Sequence, residues 1–133
     1  MDKRLLSKED ESATEVQVTR ADQDKINAFS TLHQKQTALQ EDLKTKRQDK
    51  EYVEEVKEEL ELADEDELVP YKVGDSFFLL PLEEVQELLQ GDLDGADEKI
   101  SEIEEQIDEN KGVLDGLKVE LYAKFGKAIN LDV

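Results

Sequence analysis

The sequence has no cysteine and no tryptophan, a single histidine, and methionine only at position 1. Without cysteine there can be no disulfide framework, no zinc-thiolate site and no thiol catalysis. Prolines number two and aromatics seven, four Phe and three Tyr. No apolar run approaches the roughly 18 residues of a membrane-spanning helix. The N-terminus also lacks the apolar stretch of a signal peptide. A soluble intracellular protein is expected. What the chain does have is charge. Thirty-six acids against 17 bases leave −19, which argues against nucleic acid or an anionic membrane as the main partner. Leu, Ile, Val and Phe still make up 37 of the 133 residues, more than a fully disordered chain carries. Ala, Glu, Lys, Leu and Arg total 64, close to the half that marks coiled coils. The length allows one domain, but so few aromatics among so many charges do not make a compact core.

Residues 1–18 mix charge, Ser and Thr without a sustained period and read as a disordered acidic and polar tail. Thr19 can cap a helix, with Asp22 answering it three residues on. From there to about residue 63 neither Gly nor Pro occurs. With Phe29, Gln36, Leu43, Lys50 and Lys57 at heptad position a, position d holds Leu32, Leu39, Lys46, Val53 and Leu60. Six of these ten are apolar, an imperfect seam that needs a partner helix. A second helix is expected over about 82–128. Its a positions are Gln86, Leu93, Ile100, Ile107, Leu114 and Leu121. Its d positions are Leu82, Leu89, Ala96, Ile103, Asn110, Leu117 and Lys124. Ten of these 13 are apolar, a strong coiled-coil signal. Gly91, Gly95, Gly112 and Gly116 all fall at outer positions, so the helix is expected to stay continuous. Asn110 at d reads as a register-fixing interruption.

Between the helices the texture changes. Two β-prone runs, near 68–73 and 76–80, flank Gly74-Asp75 and form a predicted β-hairpin. The fold class is therefore mainly α, a long antiparallel helical hairpin with one β-hairpin at its bend. Two strands alone are marginal in water. This pair carries Val69, Tyr71, Val73, Phe77, Phe78, Leu79 and Leu80, and two helices at one end cannot cover both of its faces. Its open edges also invite further strands. Several copies or paralogues joining their hairpins into a sheet or barrel follows. The alternative is a hairpin folded back onto its own helices.

A surplus of apolar groups gathers where the two helix ends meet. Val119, Tyr122 and Phe125 lie off the seam, Ile26 lies off it opposite them, and Ile129 and Leu131 follow the helix end. An exposed apolar patch usually marks an interaction site. The alternative is that these groups pack on one another and close the end. Nothing resembles an active site. His33 has no second His or Cys to join it, and carboxylate pairs such as Glu104/Glu105 sit on a helix with no pocket to split their pKa values. Asp92–Asp97 lacks the ligand pattern of a calcium loop. No phosphate loop or nucleophile elbow occurs. No catalytic residue, cofactor or metal is assigned. The run from Glu54 to Glu67, nine acids and one Lys, reads as a solvated face.

Three stretches carry a family resemblance: residues 18–29 (VTRADQDKINAF), 69–78 (VPYKVGDSFF) and 117–131 (LKVELYAKFGKAINL). The chain resembles the β-class subunits of prefoldin, which have one hairpin between two helices, over about residues 18–131. The resemblance implies a heterohexamer of two α-class and four β-class subunits whose hairpins join in an inter-subunit β-barrel. It implies an ATP-independent co-chaperone that holds unfolded chains, notably actin and tubulin, and transfers them to the cytosolic group II chaperonin. Client contact would fall on the helix ends, at Ile26, Phe29, Val119, Tyr122, Phe125, Ile129 and Leu131. The hairpin residues named above would serve assembly. A coiled-coil adaptor scaffolding another assembly through the same hairpin is the alternative from a different class.

Overall fold

The computed structural model describes residues 17–131. All but the last two positions of the expected tail lie outside them. Helix α1 spans Arg20–Leu60, strand β1 Leu68–Val73, strand β2 Ser76–Pro81 and helix α2 Leu82–Phe125, followed by a 3-10 turn at Gly126–Ala128. No helix among the described residues is long and apolar enough to cross a membrane. The chain divides into two compact units. One contains the residues up to Gln40 and those from Glu105, and the other is Glu41–Glu104.

α1 starts as its sequence predicts. Asp22 N–H donates to Thr19 Oγ1 at 3.2 Å, and Thr19 N–H donates back to Asp22 Oδ2 at 3.0 Å. This reciprocal pair satisfies two amides that a helix start leaves without partners. The far end falls short of the expected residue 63. Glu58 and Glu59 stand in the last turn and Glu61 just after it, where the helix dipole disfavours negative charge. The chain tightens there into i→i−3 bonds, with Leu62 N–H on Glu59 O and Ala63 N–H on Leu60 O, both at 3.2 Å. α2 also stops short of its expected end at 128. Gly126 adopts φ +57°, the left-handed conformation that ends a helix.

In the first unit the helices run antiparallel. Lys124 Nζ meets the Asp22 carboxylate, and Gln36 Nε2 donates to Ile107 O at 2.7 Å. Ile26, Phe29, Leu114, Leu121, Phe125, Ala128, Ile129 and Leu131 form its core. A polar layer lies above it. Asn110 is buried and accepts from Gln106 on its own helix at 2.9 Å. Gln36 is buried too, and no described group donates to its Oε1.

The second unit is antiparallel as well, and it explains the lysines on the α1 seam. Lys50 at a reaches Asp97 at 2.5 Å, Lys57 at a bonds Gln90, and Lys46 at d reaches Asp42 at 3.7 Å. Each lysine is partly buried. The stems cover apolar surface while the ammonium groups meet acceptors at the edge. Beneath them Leu82, Val85, Leu89, Leu93 and Ile100 are buried. The hairpin closes through Gly74 at φ +63°, the conformation that primed two-residue turns require at their first central position.

The outer-face glycines of α2 leave space. A Cβ at Gly91, Gly95, Gly112 or Gly116 would meet nothing within 4 Å. In a helix interior each Gly costs about 0.5–1 kcal/mol relative to Ala. Gly112→Ala should therefore raise the midpoint of thermal unfolding, followed by circular dichroism, and should not lower the helical signal before the transition.

Candidate functional site

The strands pair antiparallel with Tyr71 opposite Phe78, Lys72 opposite Phe77, and Pro70 opposite Leu79. Alternate residues point to opposite faces. One face therefore carries Leu68, Pro70, Lys72, Phe77, Leu79 and Pro81, and every one of them is exposed. Phe77 is 67% exposed and Leu79 66%, and with Leu68 they make an exposed apolar patch of the kind that marks an interaction site. The other face carries Val69, Tyr71 and Leu80, which are half-buried, and Val73 and Phe78, which stay exposed.

Tyr71 is held by α2. Its hydroxyl donates to Asp92 Oδ2 at 2.8 Å. That bond to Asp92, together with burial, pushes the Tyr71 pKa up, because both favour the protonated phenol. Tyr71 thus orients the hairpin on its own chain. Sequence reasoning grouped it with the assembly residues, since strand alternation does not say which face the helices take.

The terminal cluster departs from the exposed patch and takes the alternative, groups packed on one another. Ile26, Phe125, Ile129 and Leu131, together with Phe29 from seam position a, are each at most 4% exposed. The residues after α2 turn back and cover the off-seam positions, so the apolar surplus becomes a core. Tyr122 is half-buried and accepts a hydrogen bond from Leu131 N–H at 3.3 Å. Val119 alone keeps the expected exposure, at 70%. His33 lies stacked on Phe29, with ring centroids 6.0 Å apart. Among the described residues no group of His, Cys, Asp or Glu is arranged to hold a metal.

Charge separates the two regions. Residues 17–40 and 105–131 carry seven acids and seven bases, while 41–104 carry 23 acids and seven bases. The cluster thus lies in the neutral part of a very acidic chain.

Two long helices joined through a two-stranded hairpin with one face exposed are the architecture of the described residues. The comparisons agree. A profile described as "Prefoldin subunit" matches residues 23–128. The chain is 45% identical over 116 residues to prefoldin subunit 4 of Saccharomyces cerevisiae, covering 87% of this chain and 90% of that one. It is 38% identical over 122 residues to prefoldin subunit 4 of Homo sapiens, covering 91% of each. The crystal structure of the prefoldin beta subunit from Thermococcus strain KS-1 superposes with a TM-score of 0.73 at 12% identity, covering 83% of this chain and 96% of that one. The chain belongs to the prefoldin subunit family, whose members are chaperone components and not enzymes.

Asp22 provides a test of how the cluster is closed. The Lys124 ammonium, then the Thr19 amide, hold its carboxyl down from 3.8 to about 2. A depressed carboxyl contributes stability that is whole above its ordinary pKa and is lost as pH falls through the folded value. Asp22→Asn keeps an amide oxygen that can accept from Thr19 N–H but removes the charge. The gap in unfolding midpoint between wild type and this variant should therefore be full above pH about 4 and close between pH about 4 and 2.

Proposed function

We propose that this chain is a β-class subunit of a heterohexameric prefoldin with two α-class and four β-class subunits. It acts in the cytoplasm as an ATP-independent holdase. It binds unfolded chains, actin and tubulin among them, and passes them to the group II chaperonin. Family membership supports the subunit role. The observation that carries the reading further is the exposed hairpin face. Fully burying a side chain such as Phe77 or Leu79 contributes about 1.5–3 kcal/mol. A lone hairpin is marginal, so the gain on joining other strands is large against its own stability. Leu68, Pro70, Phe77 and Leu79 are the assembly contacts in this reading, with Val73 and Phe78 beside them, while Val69, Tyr71 and Leu80 position the hairpin. Client contact belongs to the terminal cluster, with Val119 and Tyr122 as the accessible part.

Native mass spectrometry of the complex coexpressed with the other subunits tests this. Phe77→Asp should give a smaller species lacking this subunit, because it places a charge in a buried sheet face. Tyr71→Phe, which loses only the Asp92 bond, should assemble with reduced stability. Full assembly by Phe77→Asp would contradict the barrel reading. An intact wild-type hexamer that failed to suppress aggregation of unfolded actin would favour the adaptor role.

A further inference from the structure

The apolar groups at the helix ends are covered by a third element, the chain's own terminal segment. After Phe125 the backbone turns at Gly126, with φ +57°. Residues Gly126–Ala128 make one 3-10 turn, and Ile129 is extended at φ −117°, ψ 138°. From there burial alternates: Ile129 is 4% exposed and Leu131 1%, while Asn130 between them is exposed. Alternation of this kind is how an extended segment offers two side chains to one surface. The core cluster they join also holds Ile26, Phe29, Leu114, Leu121 and Phe125, with Tyr122 packed against it. Ile26 and Phe125 lie off the heptad seam, where a helix pair supplies no partner, so a third segment is needed to bury them.

We infer that this surface is a binding site for short extended segments with branched aliphatic side chains two residues apart, and that residues 126–131 occupy it as an internal competitor. The inference rests on the proposed holdase role and specifies what that role's site recognises. The bound segment in this structure is Ile129-Asn130-Leu131; Leu131 N–H donates to Tyr122 Oη, and the Ile129 backbone forms a β-bridge. A client segment of the same pattern takes its place when the terminal segment swings out about Gly126. A site closed by its own chain binds with an affinity reduced by the fraction of molecules that are open. Opening the segment therefore strengthens client binding, whereas side chains that merely touch client would weaken it when removed. The neutral charge of this part of the chain suits recognition by shape and apolar contact over recognition by charge.

Two variants read the sign. Ile129→Ser with Leu131→Ser weakens the internal occupant and leaves the receiving surface whole. Gly126→Ala leaves every apolar side chain in place and acts on the backbone alone, because its Cβ would meet nothing within 4 Å while φ +57° disfavours an L-residue. The probe is a fluorescein-labelled ten-residue peptide with a central Ile-Asn-Leu flanked by Gly and Ser, titrated by anisotropy into the reconstituted hexamer. A peptide with both aliphatic residues replaced by Ser is the control. The double variant should bind the probe about 3- to 10-fold tighter than wild type, and Gly126→Ala about 2- to 5-fold tighter. The control peptide should show no gain. Weaker or unchanged binding by the double variant in an intact hexamer overturns the inference, as does absence of probe binding by all three proteins. Suppression of unfolded-actin aggregation by the wild-type hexamer is measured alongside. Failure there counts against the holdase role, and it does not depend on the direction of the variant effects.

Discussion

Neither helix can bury its apolar stripe alone, and most of the structure follows from that constraint. α2 supplies a stripe that is apolar almost throughout, and Leu82, Leu89, Leu93, Ile100, Leu114 and Leu121 are all buried along it. α1 answers with a weaker stripe in which lysines stand at a and d. That substitution is tolerable because a lysine stem covers apolar surface as an aliphatic chain does, while its head reaches a carboxylate or amide at the edge. Exposed ion pairs of this kind add little energy, so the lysines act chiefly as covering stems. The outer faces have no packing duty, which leaves them free to carry the charge and the four helix glycines.

Once the seam is closed, two sets of apolar residues remain, and they end differently. At the helix ends the chain has a further segment to spend on its surplus, and Ile129 and Leu131 turn it into a core. At the hairpin no described segment covers the outer face. The half-buried face with Val69, Tyr71 and Leu80 is held by its own chain through Asp92, while Leu68, Phe77 and Leu79 stay in solvent. A fold that closes one apolar surplus and leaves the other open is what a subunit requires. In the proposed reading the open face takes partner subunits, and the closed cluster takes client segments that come and go.

Much of this could be read in the residues. The heptad phase of both helices, the Thr19 cap and the hairpin with its Gly74 turn all rest on local rules of period, capping and backbone conformation, and the described structure follows them. For the terminal cluster the residues allow either an exposed patch or groups packed on one another, and the structure takes the second. Heptad phase states which positions face the partner helix, but it is silent on a third segment, and Gly126 carried no signal that its turn would send Ile129 and Leu131 back over Ile26 and Phe125. Gly126 within Phe-Gly-Lys, just after a basic last turn, was the available clue to a helix end. The Tyr71–Asp92 bond joins residues 21 apart in the chain and depends on which hairpin face meets α2. The Gln36 amide on Ile107 O depends on the exact pairing of the helices, which period alone leaves open.

The hairpin is an unfinished sheet, whereas the helix seam and the terminal cluster bury their apolar groups within the chain. Amide hydrogen exchange on the isolated chain and on the chain within the reconstituted complex tests it most directly. The predicted result is fast exchange over residues 68–81 in the isolated chain and strong added protection there in the complex, with segments around Phe29 and Leu121 protected in both. Equal protection of residues 68–81 in the isolated chain and in the complex would contradict it.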